Sequence, residues 1–355
     1  MTTVTVRDDP SIILGANTDL FVVSSYSFSN RQAFAPMPTE LWYDTAGGGI
    51  TILRGAGFIY DRFQNLESGT ITAIEYRGQL VGTSQNISAI VVTGLSIPVA
   101  QYVDWGFSGG DTPFREAAFG GGDQFVGGGL ADLMRAYGGA DSMTGGGGGD
   151  TLEGGQGSDT ISGGLGDDNL VGGDGASYLR GDEGDDRITG GADFDDANGN
   201  MGNDTVSTGA GDDYAVGGKD NDLLFGEAGS DVVWGNLGND TCDGGDGNDQ
   251  VRGGQGDDSV SGGAGDDFVS GDRGDDTIRG GAGADLFHSS VGAGIDRVLD
   301  FNFAEGDRVL LDPGTVYTPY VIGSDIVIHM GGGDELILVG VSVSSLPING
   351  WVLVG

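Results

Sequence analysis

Hydrophobic and polar positions follow a nine-residue period from Asp123 to Asp285, without a single insertion or deletion. Of the 19 frame positions, 18 hold aspartate, and only Ser177 departs. An apolar residue stands two positions after every frame position, and glycine occupies 16 of the 19 positions that lie two residues before it. This pattern predicts a repeated unit of one short strand and one glycine-rich turn.

The length of the unit predicts how the units stack. A six-residue turn and a three-residue strand bury too little surface alone, so consecutive units must form a coil. Two nine-residue units make one turn of the coil, which places alternate units on opposite sheets. We therefore predict an all-β fold: a right-handed parallel β-roll of two sheets, with the apolar column pointing into a core about 10 Å thick.

The frame aspartates are the predicted metal ligands. Each turn of the coil places its aspartate over that of the turn before, and carboxylates about 5 Å apart repel unless a cation lies between them. Calcium takes six to eight oxygen ligands in a flexible geometry, so two carboxylates and turn carbonyls suit it. Zinc would require thiolate or histidine ligands. The predicted ligands are Asp123, Asp132, Asp141, Asp150, Asp159, Asp168, Asp186, Asp195, Asp204, Asp213, Asp222, Asp231, Asp240, Asp249, Asp258, Asp267, Asp276 and Asp285.

The charge of the chain supports a multivalent cation. Acidic residues outnumber basic residues 54 to 15, and the formal net charge is -39. This balance argues against nucleic acid and anionic membranes as partners. Ten frame positions on one face and nine on the other allow at most 17 calcium sites, which would almost neutralise the chain. The metal-free chain is a glycine-rich polyanion, so we predict that calcium binding and folding are one event.

The repeat is least regular between residues 175 and 220. Ser177 removes a carboxylate, Asp193 and Asp220 replace glycines, and Ala197 and Ala215 thin the core. Weaker calcium sites are expected there. Two explanations of these departures stay open: a contact with a partner or a bending point of the roll, and neutral drift in a redundant array. The single cysteine, Cys242, falls in the apolar column and is predicted to be a buried hydrophobic residue.

The sequences on either side of the repeat predict further β-structure. Residues 1–111 contain short β-branched stretches (3–7, 20–28, 50–54, 70–77 and 87–95) and are predicted to be a β-rich interaction domain. A short helix is predicted in the connector, residues 112–122. The roll is assigned to residues 123–288. Residues 289–355 are predicted to form a β cap, with paired strands at 295–301 and 307–311 and a hairpin from 325 to 339.

No catalytic constellation is evident. The chain has no HExxH motif, and the GxSxG match around Ser108 is more consistent with a glycine turn than with a nucleophile elbow. The two histidines, His288 and His329, are predicted to be structural. There is no basic N-terminal leader before an apolar segment and no apolar run long enough to cross a bilayer, so neither a signal peptide nor a membrane span is expected.

Individual units carry a family resemblance. Gly154–Ser162 (GGQGSDTIS) and Gly262–Ser270 (GGAGDDFVS) resemble the repeats of the RTX family of type I secreted proteins. The resemblance implies a parallel β-roll with Ca²⁺ between its turns, ligated by the frame aspartates and turn carbonyls. The segments 283–287, 296–301 and 306–311 are similar to the region after such arrays, which implies a cap that carries an uncleaved C-terminal export signal.

We therefore expect a secreted calcium-binding structural protein of a Gram-negative bacterium. It would fold in millimolar extracellular calcium and assemble with copies of itself into a layer, matrix or filament. Its other expected partner is the type I secretion machinery. The alternative is a secreted hydrolase or a glycan-binding adhesin with its site in residues 1–111.

Overall fold

The structure is a computed structural model that describes residues 3–6, 40–44, 50–60, 66–79, 86–98, 121–129, 131–347 and 349–355. The chain divides into two compact units, residues 1–165 and residues 166–355. Apart from one 3₁₀ turn, Val343–Ser345, every regular element of the described residues is a β-strand. The predicted all-β class is confirmed.

The first unit contains strands β1 to β10. Antiparallel pairing joins β2 to β3, β3 to β4, β4 to β5, and β5 to β1. β1 also pairs in parallel with β6, while β6, β8 and β10 pair in parallel with one another, as do β7 and β9. The strands are β1 (Thr3–Val6), β2 (Glu40–Asp44), β3 (Ile50–Tyr60), β4 (Leu66–Gln79), β5 (Asn86–Pro98), β6 (Gln124–Val126), β7 (Leu133–Arg135), β8 (Ser142–Gly147), β9 (Thr151–Gln156) and β10 (Thr160–Leu165).

In the second unit, one parallel sheet, which we call sheet A, joins alternate repeats. Each strand pairs with the strand two repeats further along the chain, as in Tyr214↔Val232, and this confirms the predicted coil of two repeats per turn. Its strands are β12 (Tyr178–Glu183), β14 (Asp196–Met201), β16 (Tyr214–Lys219), β18 (Val232–Leu237), β20 (Gln250–Gln255), β22 (Phe268–Arg273), β24 (Leu286–Ser289), β26 (Arg308–Leu311) and β30 (Val352–Val354).

The other repeats of the second unit form sheet B. It is parallel from β11 to β29 and ends in the antiparallel strands β28 and β27. Its strands are β11 (Asn169–Asp174), β13 (Arg187–Gly191), β15 (Thr205–Ala210), β17 (Leu223–Ala228), β19 (Thr241–Asp246), β21 (Ser259–Ala264), β23 (Thr277–Ala282), β25 (Ile295–Val298), β27 (Thr318–Ile322), β28 (Asp325–Gly331) and β29 (Asp334–Leu338).

The strands are longer than the predicted three residues. Most span six residues of each unit, because the coils also stack through the first part of the turn: Asn236 pairs with Gly254 beyond Trp234 and Arg252. This pairing satisfies backbone N–H and C=O groups that would otherwise be buried without partners. At Asp193 the regular turn is interrupted, because this residue lacks the positive φ of its glycine counterparts, and β13 ends one residue early at Gly191.

The core is the predicted apolar column. All 19 of its residues, from Phe125 to Phe287, are at most 4% exposed. Cys242 is among them, as predicted, and burial raises the pKa of its thiol well above the ordinary value. After the repeat, Val298, Val309 and Phe301 continue the core, and the Phe301 ring packs against Phe287 with the centroids 5.8 Å apart.

The C-terminal strands lie on both sheets. The predicted pairing of 295–301 with 307–311 is wrong: β25 pairs with β23 and β29, while β26 pairs with β24 and β30. Both segments follow the apolar spacing of the repeat, so each continues its own sheet. The predicted hairpin is confirmed as β28 and β29 around Gly332. The domain boundaries at residues 111, 122 and 288 stay predictions.

Several predicted features lie outside the described residues. They are the strand at 20–28, the helix in residues 112–119 and the GxSxG turn with Ser108. The predictions for 3–7, 50–54, 70–77 and 87–95 coincide with β1, β3, β4 and β5, whereas β2 was not predicted. Among the described residues, no helix has the length and apolarity needed to cross a membrane.

Candidate calcium sites

The frame aspartates lie in the turns on both sides of the core, and all 18 are buried, with exposures between 0 and 6%. Such burial of carboxylates is rare unless they are paired or bind a metal. The strand geometry causes this burial. The apolar residue two positions after each aspartate points into the core, so the aspartate side chain points the same way. The fold therefore places one carboxylate per coil in each column.

One oxygen of most of these carboxylates is held by the neighbouring coil. The backbone N–H of a frame residue donates to the Oδ1 atom of the frame aspartate in the next coil, as from Asp231 to Asp249 at 2.8 Å and from Asp240 to Asp258 at 2.7 Å. Ser177 takes part in the same ladder through its backbone, since its N–H donates to Asp195 Oδ1 at 2.8 Å. This ladder fixes the orientation of the carboxylates.

The second carboxylate oxygen, Oδ2, is buried without a hydrogen-bond partner in Asp231, Asp240, Asp249 and Asp258, among others. It faces a turn carbonyl of the next coil. A Cβ atom placed on Gly226 would lie 2.5 Å from Asp231 Oδ2 and 2.5 Å from the carbonyl oxygen of Gly244. Two oxygens thus converge where only glycine leaves room, and burying them together is costly unless a cation compensates.

The metal-free carboxylates are poor acids. Burial, with repulsion from the aspartates above and below, raises the pKa of Asp222 to about 8 and that of Asp258 to about 7. The same causes raise the pKa of Asp231 and of Asp267 to about 7. Near neutral pH the folded chain therefore needs either protons or a cation among these oxygens.

Calcium fits this arrangement. The available donors are carboxylate and carbonyl oxygens, the ligands that Ca²⁺ prefers, and Ca²⁺ tolerates irregular geometry. In the described part of the chain, no group of three or more acidic, histidine or cysteine side chains converges on one point. Each site must therefore complete its coordination with carbonyl oxygens such as that of Gly244, which was expected from the sequence.

The turn at Ser177 lacks this arrangement. A Cβ atom on Gly172 would be 3.3 Å from Ser177 Oγ and 3.3 Å from the Gly190 carbonyl, a wider space than at Gly226. The hydroxyl hydrogen-bonds to the Gly175 carbonyl at 3.3 Å. The column continues through this turn without a carboxylate, and the irregular turn at Asp193 follows in the next coil of the same sheet.

Two further aspartates, Asp296 and Asp307, join the columns beyond the nine-residue frame. Their Oδ1 atoms accept the backbone N–H groups of Asp276 at 3.4 Å and Asp285 at 3.1 Å, and both residues are buried. Sequence reasoning missed them because insertions lengthen the spacing beyond two repeats. The signal was present, since each begins an Asp-Arg-Val triplet with the apolar residue two positions later.

The two histidines lie outside the columns. His288 is held by Ser270 Oγ on Nδ1 and by Asp312 Oδ1 on Nε2, both at 3.2 Å, and its ring stacks on Phe268. His329 lies 3.6 Å from Glu335 in the C-terminal hairpin. The structural roles predicted for both residues stay predictions.

Comparisons with known proteins agree with this geometry. The family model of the RTX calcium-binding nonapeptide repeat matches residues 118–296 in overlapping segments. No curated protein matches the chain at a significant level. Among solved structures, the extracellular lipase LipA from Serratia marcescens is similar, with 19% sequence identity and a TM-score of 0.29, over 58% of this chain and 40% of the lipase chain. At that TM-score the likeness says nothing about activity.

RTX nonapeptide repeats bind Ca²⁺ between the turns of the β-roll, and proteins that carry them are typically secreted. The match spans half of the chain, and its register coincides with the buried aspartate columns. The repeat array is a structural, calcium-binding element rather than a catalytic one. The chain belongs to the RTX family of calcium-binding β-roll proteins.

Proposed function

We propose that this protein is a secreted calcium-binding structural protein that folds after export and assembles with copies of itself into an extracellular layer, matrix or filament. The frame aspartates, together with Asp296 and Asp307, are its calcium ligands. The buried Oδ2 atoms of frame aspartates such as Asp231 and Asp249 support this assignment, because calcium would compensate oxygens that the fold leaves without hydrogen bonds. The Oδ2 atoms of Asp296 and Asp307 instead accept hydrogen bonds from Ser289 Oγ and the Asn302 N–H.

Export before folding follows from the charge. A chain with a formal charge of -39 buries its carboxylate columns only at a large cost in free energy when no counter-ion is bound. Extracellular calcium modules have dissociation constants of about 10⁻⁴ to 10⁻³ M, so such sites fill outside the cell. The resemblance of residues 283–311 to RTX tails supports export by a type I system in a Gram-negative bacterium. Deletion of residues 289–355 should then retain the protein in the cell, as fractionation of a secreting strain would reveal.

Self-assembly is supported by the C-terminal edge of sheet B, on which no other described strand pairs. Among the described strands β27 pairs only with β28, so its other side presents unpaired backbone groups. All five residues of β27 are exposed, including Tyr320, Val321 and Ile322. An exposed apolar edge strand is a site for strand addition by another chain, and an end-to-end contact that does not close gives fibres.

Electron microscopy and light scattering of the purified protein, with and without calcium, test this proposal. We expect calcium-dependent assemblies that Val321→Lys abolishes, because a charge at the edge opposes strand addition. Val316→Lys is the matched control, since Val316 is exposed and apolar but precedes the strand. Monomers under both conditions, or equal effects of the two variants, would contradict the assembly.

The alternative, a hydrolase or glycan-binding adhesin with its site in residues 1–111, gains no support from the described residues. Its candidate nucleophile, Ser108, lies outside them. Hydrolase assays on the full chain and on Ser108→Ala would reveal such an activity.

A further inference from the structure

We propose that the outer face of sheet A in the second unit binds a second copy of this chain, face to face, about a two-fold axis between β16 and β18. The axis runs parallel to the strands. This contact goes beyond end-to-end assembly and uses a different surface, so it does not depend on the edge of β27.

The centre of this face is apolar apart from Lys219 of β16, whose Nζ lies 3.7 Å from Met201 Sδ. Tyr214, Trp234 and Leu237 all point outward and are exposed. Val232 lies beside Tyr214 in the register, and Val216 lies beside Trp234. The ring of Phe194, from the preceding turn, packs edge-on against Tyr214 at 5.9 Å. The outward side chains of β18 (Val232, Trp234 and Leu237) carry no charge.

Such a patch is unusual on this chain. Two copies with a formal charge of -39 each repel one another over most of their surfaces, and calcium reduces this repulsion without removing the acidic character. The equivalent outward rows of sheet B are more polar, with Thr205, Ser207, Thr241 and Ser259, and have Leu223 and Phe225 of β17 as their large apolar residues. Contiguous exposed apolar side chains mark an interaction surface.

Charges flank the apolar centre with opposite signs on its two sides. At β12 and β14, Arg180 pairs with Asp196 at 2.9 Å, while Asp182 and the exposed Glu183 add negative charge at this end. At β20 and β22, Arg252 pairs with Asp272 at 3.7 Å, which leaves Arg273. Glu183 and Arg273 are exposed, and neither has an ion-pair partner among the described residues. The face is therefore negative at one end and positive at the other.

A two-fold axis between β16 and β18 makes this face self-complementary. It reverses the order of the coils, so β12 of one copy opposes β22 of the other, β14 opposes β20 and β16 opposes β18. Glu183 and Arg273 occupy the same row of the sheet, through the register Glu183↔Met201, Lys219↔Leu237 and Gln255↔Arg273. Glu183 of each copy thus meets Arg273 of the other, and Tyr214 meets Val232. Residues that match in this way are the mark of an isologous dimer.

The chemistry of the face favours a protein partner. The apolar side chains Val216 and Leu237 lie beside the aromatic rings of Tyr214 and Trp234, and such side chains pack against another protein surface. Nucleic acid requires an excess of cations, which the paired charges on this face do not provide. Large apolar residues with a rim of complementary charge are typical of a protein interface.

Sedimentation analysis of the calcium-loaded full chain tests the proposal. Trp234→Lys brings two like charges to the centre of the interface and should raise the dimer dissociation constant by about 30-fold or more. Leu223→Lys is the matched control, because Leu223 lies on sheet B and is 38% exposed, against 36% for Trp234. The control variant should dimerise like the unaltered chain, and both variants should keep the same calcium content and circular dichroism.

Charge reversal provides the second measurement. Glu183→Arg and Arg273→Glu should each weaken the dimer about 10-fold, and the double variant should restore it because the complementary pair is re-formed in the opposite sense. A monomer at every protein concentration would overturn the proposal, as would a dimer insensitive to Trp234→Lys or a double variant no tighter than the single ones. Val321→Lys should leave the dimer intact, so loss of end-to-end assembly and loss of the face-to-face contact are distinguishable.

Discussion

Replacing Ser177 with aspartate should convert the gap in one column into a calcium site. The space is available: a Cβ on Gly172 would be 3.3 Å from both Ser177 Oγ and the Gly190 carbonyl, whereas the regular turn at Gly226 holds the equivalent oxygens at 2.5 Å. The Ser177 N–H already donates to Asp195 Oδ1, so the backbone needs no rearrangement. The new carboxylate would face Asp195 with the turn carbonyl beside it.

The size of the effect follows from the linkage between binding and stability. With a dissociation constant of about 10⁻⁴ to 10⁻³ M, typical of extracellular calcium modules, one extra site adds about 1.4 to 2.7 kcal/mol in roughly 10 mM calcium. For a unit of this size that raises Tm by roughly 3 to 10 °C. In a chelator the substitution should lower the free energy of unfolding instead. Two unit charges about 5 Å apart repel by on the order of 3 kcal/mol at an effective dielectric constant of 20.

Thermal unfolding of Ser177→Asp in calcium and in chelator measures the gain and the loss of stability. Calorimetric titration counts the bound calcium ions. Ser177→Asn is the matched control, since asparagine has nearly the same volume as aspartate and carries no charge. The reasoning is refuted if Ser177→Asp shifts Tm equally in calcium and in chelator, or if Ser177→Asn gains as much as Ser177→Asp in calcium.

Three other predictions address the columns. Asp296→Asn should lower the calcium stoichiometry measured by calorimetry and reduce stability in calcium by about 1 to 3 kcal/mol, while an unchanged stoichiometry would remove Asp296 from the ligand set. Gly226→Ala should destabilise the calcium-loaded roll by about 1 to 3 kcal/mol in thermal unfolding, because its Cβ would lie 2.5 Å from Asp231 Oδ2 and the Gly244 carbonyl. Gly121→Ala, whose Cβ would meet nothing within 4 Å, should change stability by less than about 0.5 kcal/mol. Without calcium, the folded form should lose stability as pH rises from about 4 to about 8. Burial raises the pKa of Asp222 to about 8, so the folded state holds protons that the unfolded state releases near its ordinary pKa of 3.8. Circular dichroism in chelator should show this loss, and in calcium the trend should reverse, because the ligands must be ionised.

The repeat made part of the site predictable from sequence. Every nine-residue unit but one has an aspartate followed two positions later by an apolar residue, as in Asp249 and Val251. In a strand, this two-residue separation places both side chains on the same side. Burial of the aspartates and of Cys242 followed directly. Asp296 and Asp307 could not be placed in this way, because insertions before them change the spacing, and only the pairing of β23 with β25 and of β24 with β26 returns them to the columns.

The pairing of strands after the last regular repeat was beyond the sequence pattern. Glu183 and Arg273 lie a whole number of predicted coils apart, so the period already places them in one row of sheet A. Ile295–Val298 and Arg308–Leu311 resembled partners in a hairpin, but each pairs more favourably with the open edge of its own parallel sheet. Periodicity identifies which side chains point inward, but it does not identify the partner of a strand that follows the last regular repeat.

The sequence by itself determined the all-β class, the coil of two repeats per turn, the apolar core, the columns of aspartate and the need for a divalent cation, because all of these depend on a local period that any folded form must satisfy. The tertiary structure decided which oxygens remain without hydrogen bonds, how Asp296 and Asp307 extend the columns, and which outward side chains, such as Tyr214, Trp234 and Leu237, stay exposed. These features depend on contacts between coils, and a contact between residues distant in the chain exists only after the coils have stacked.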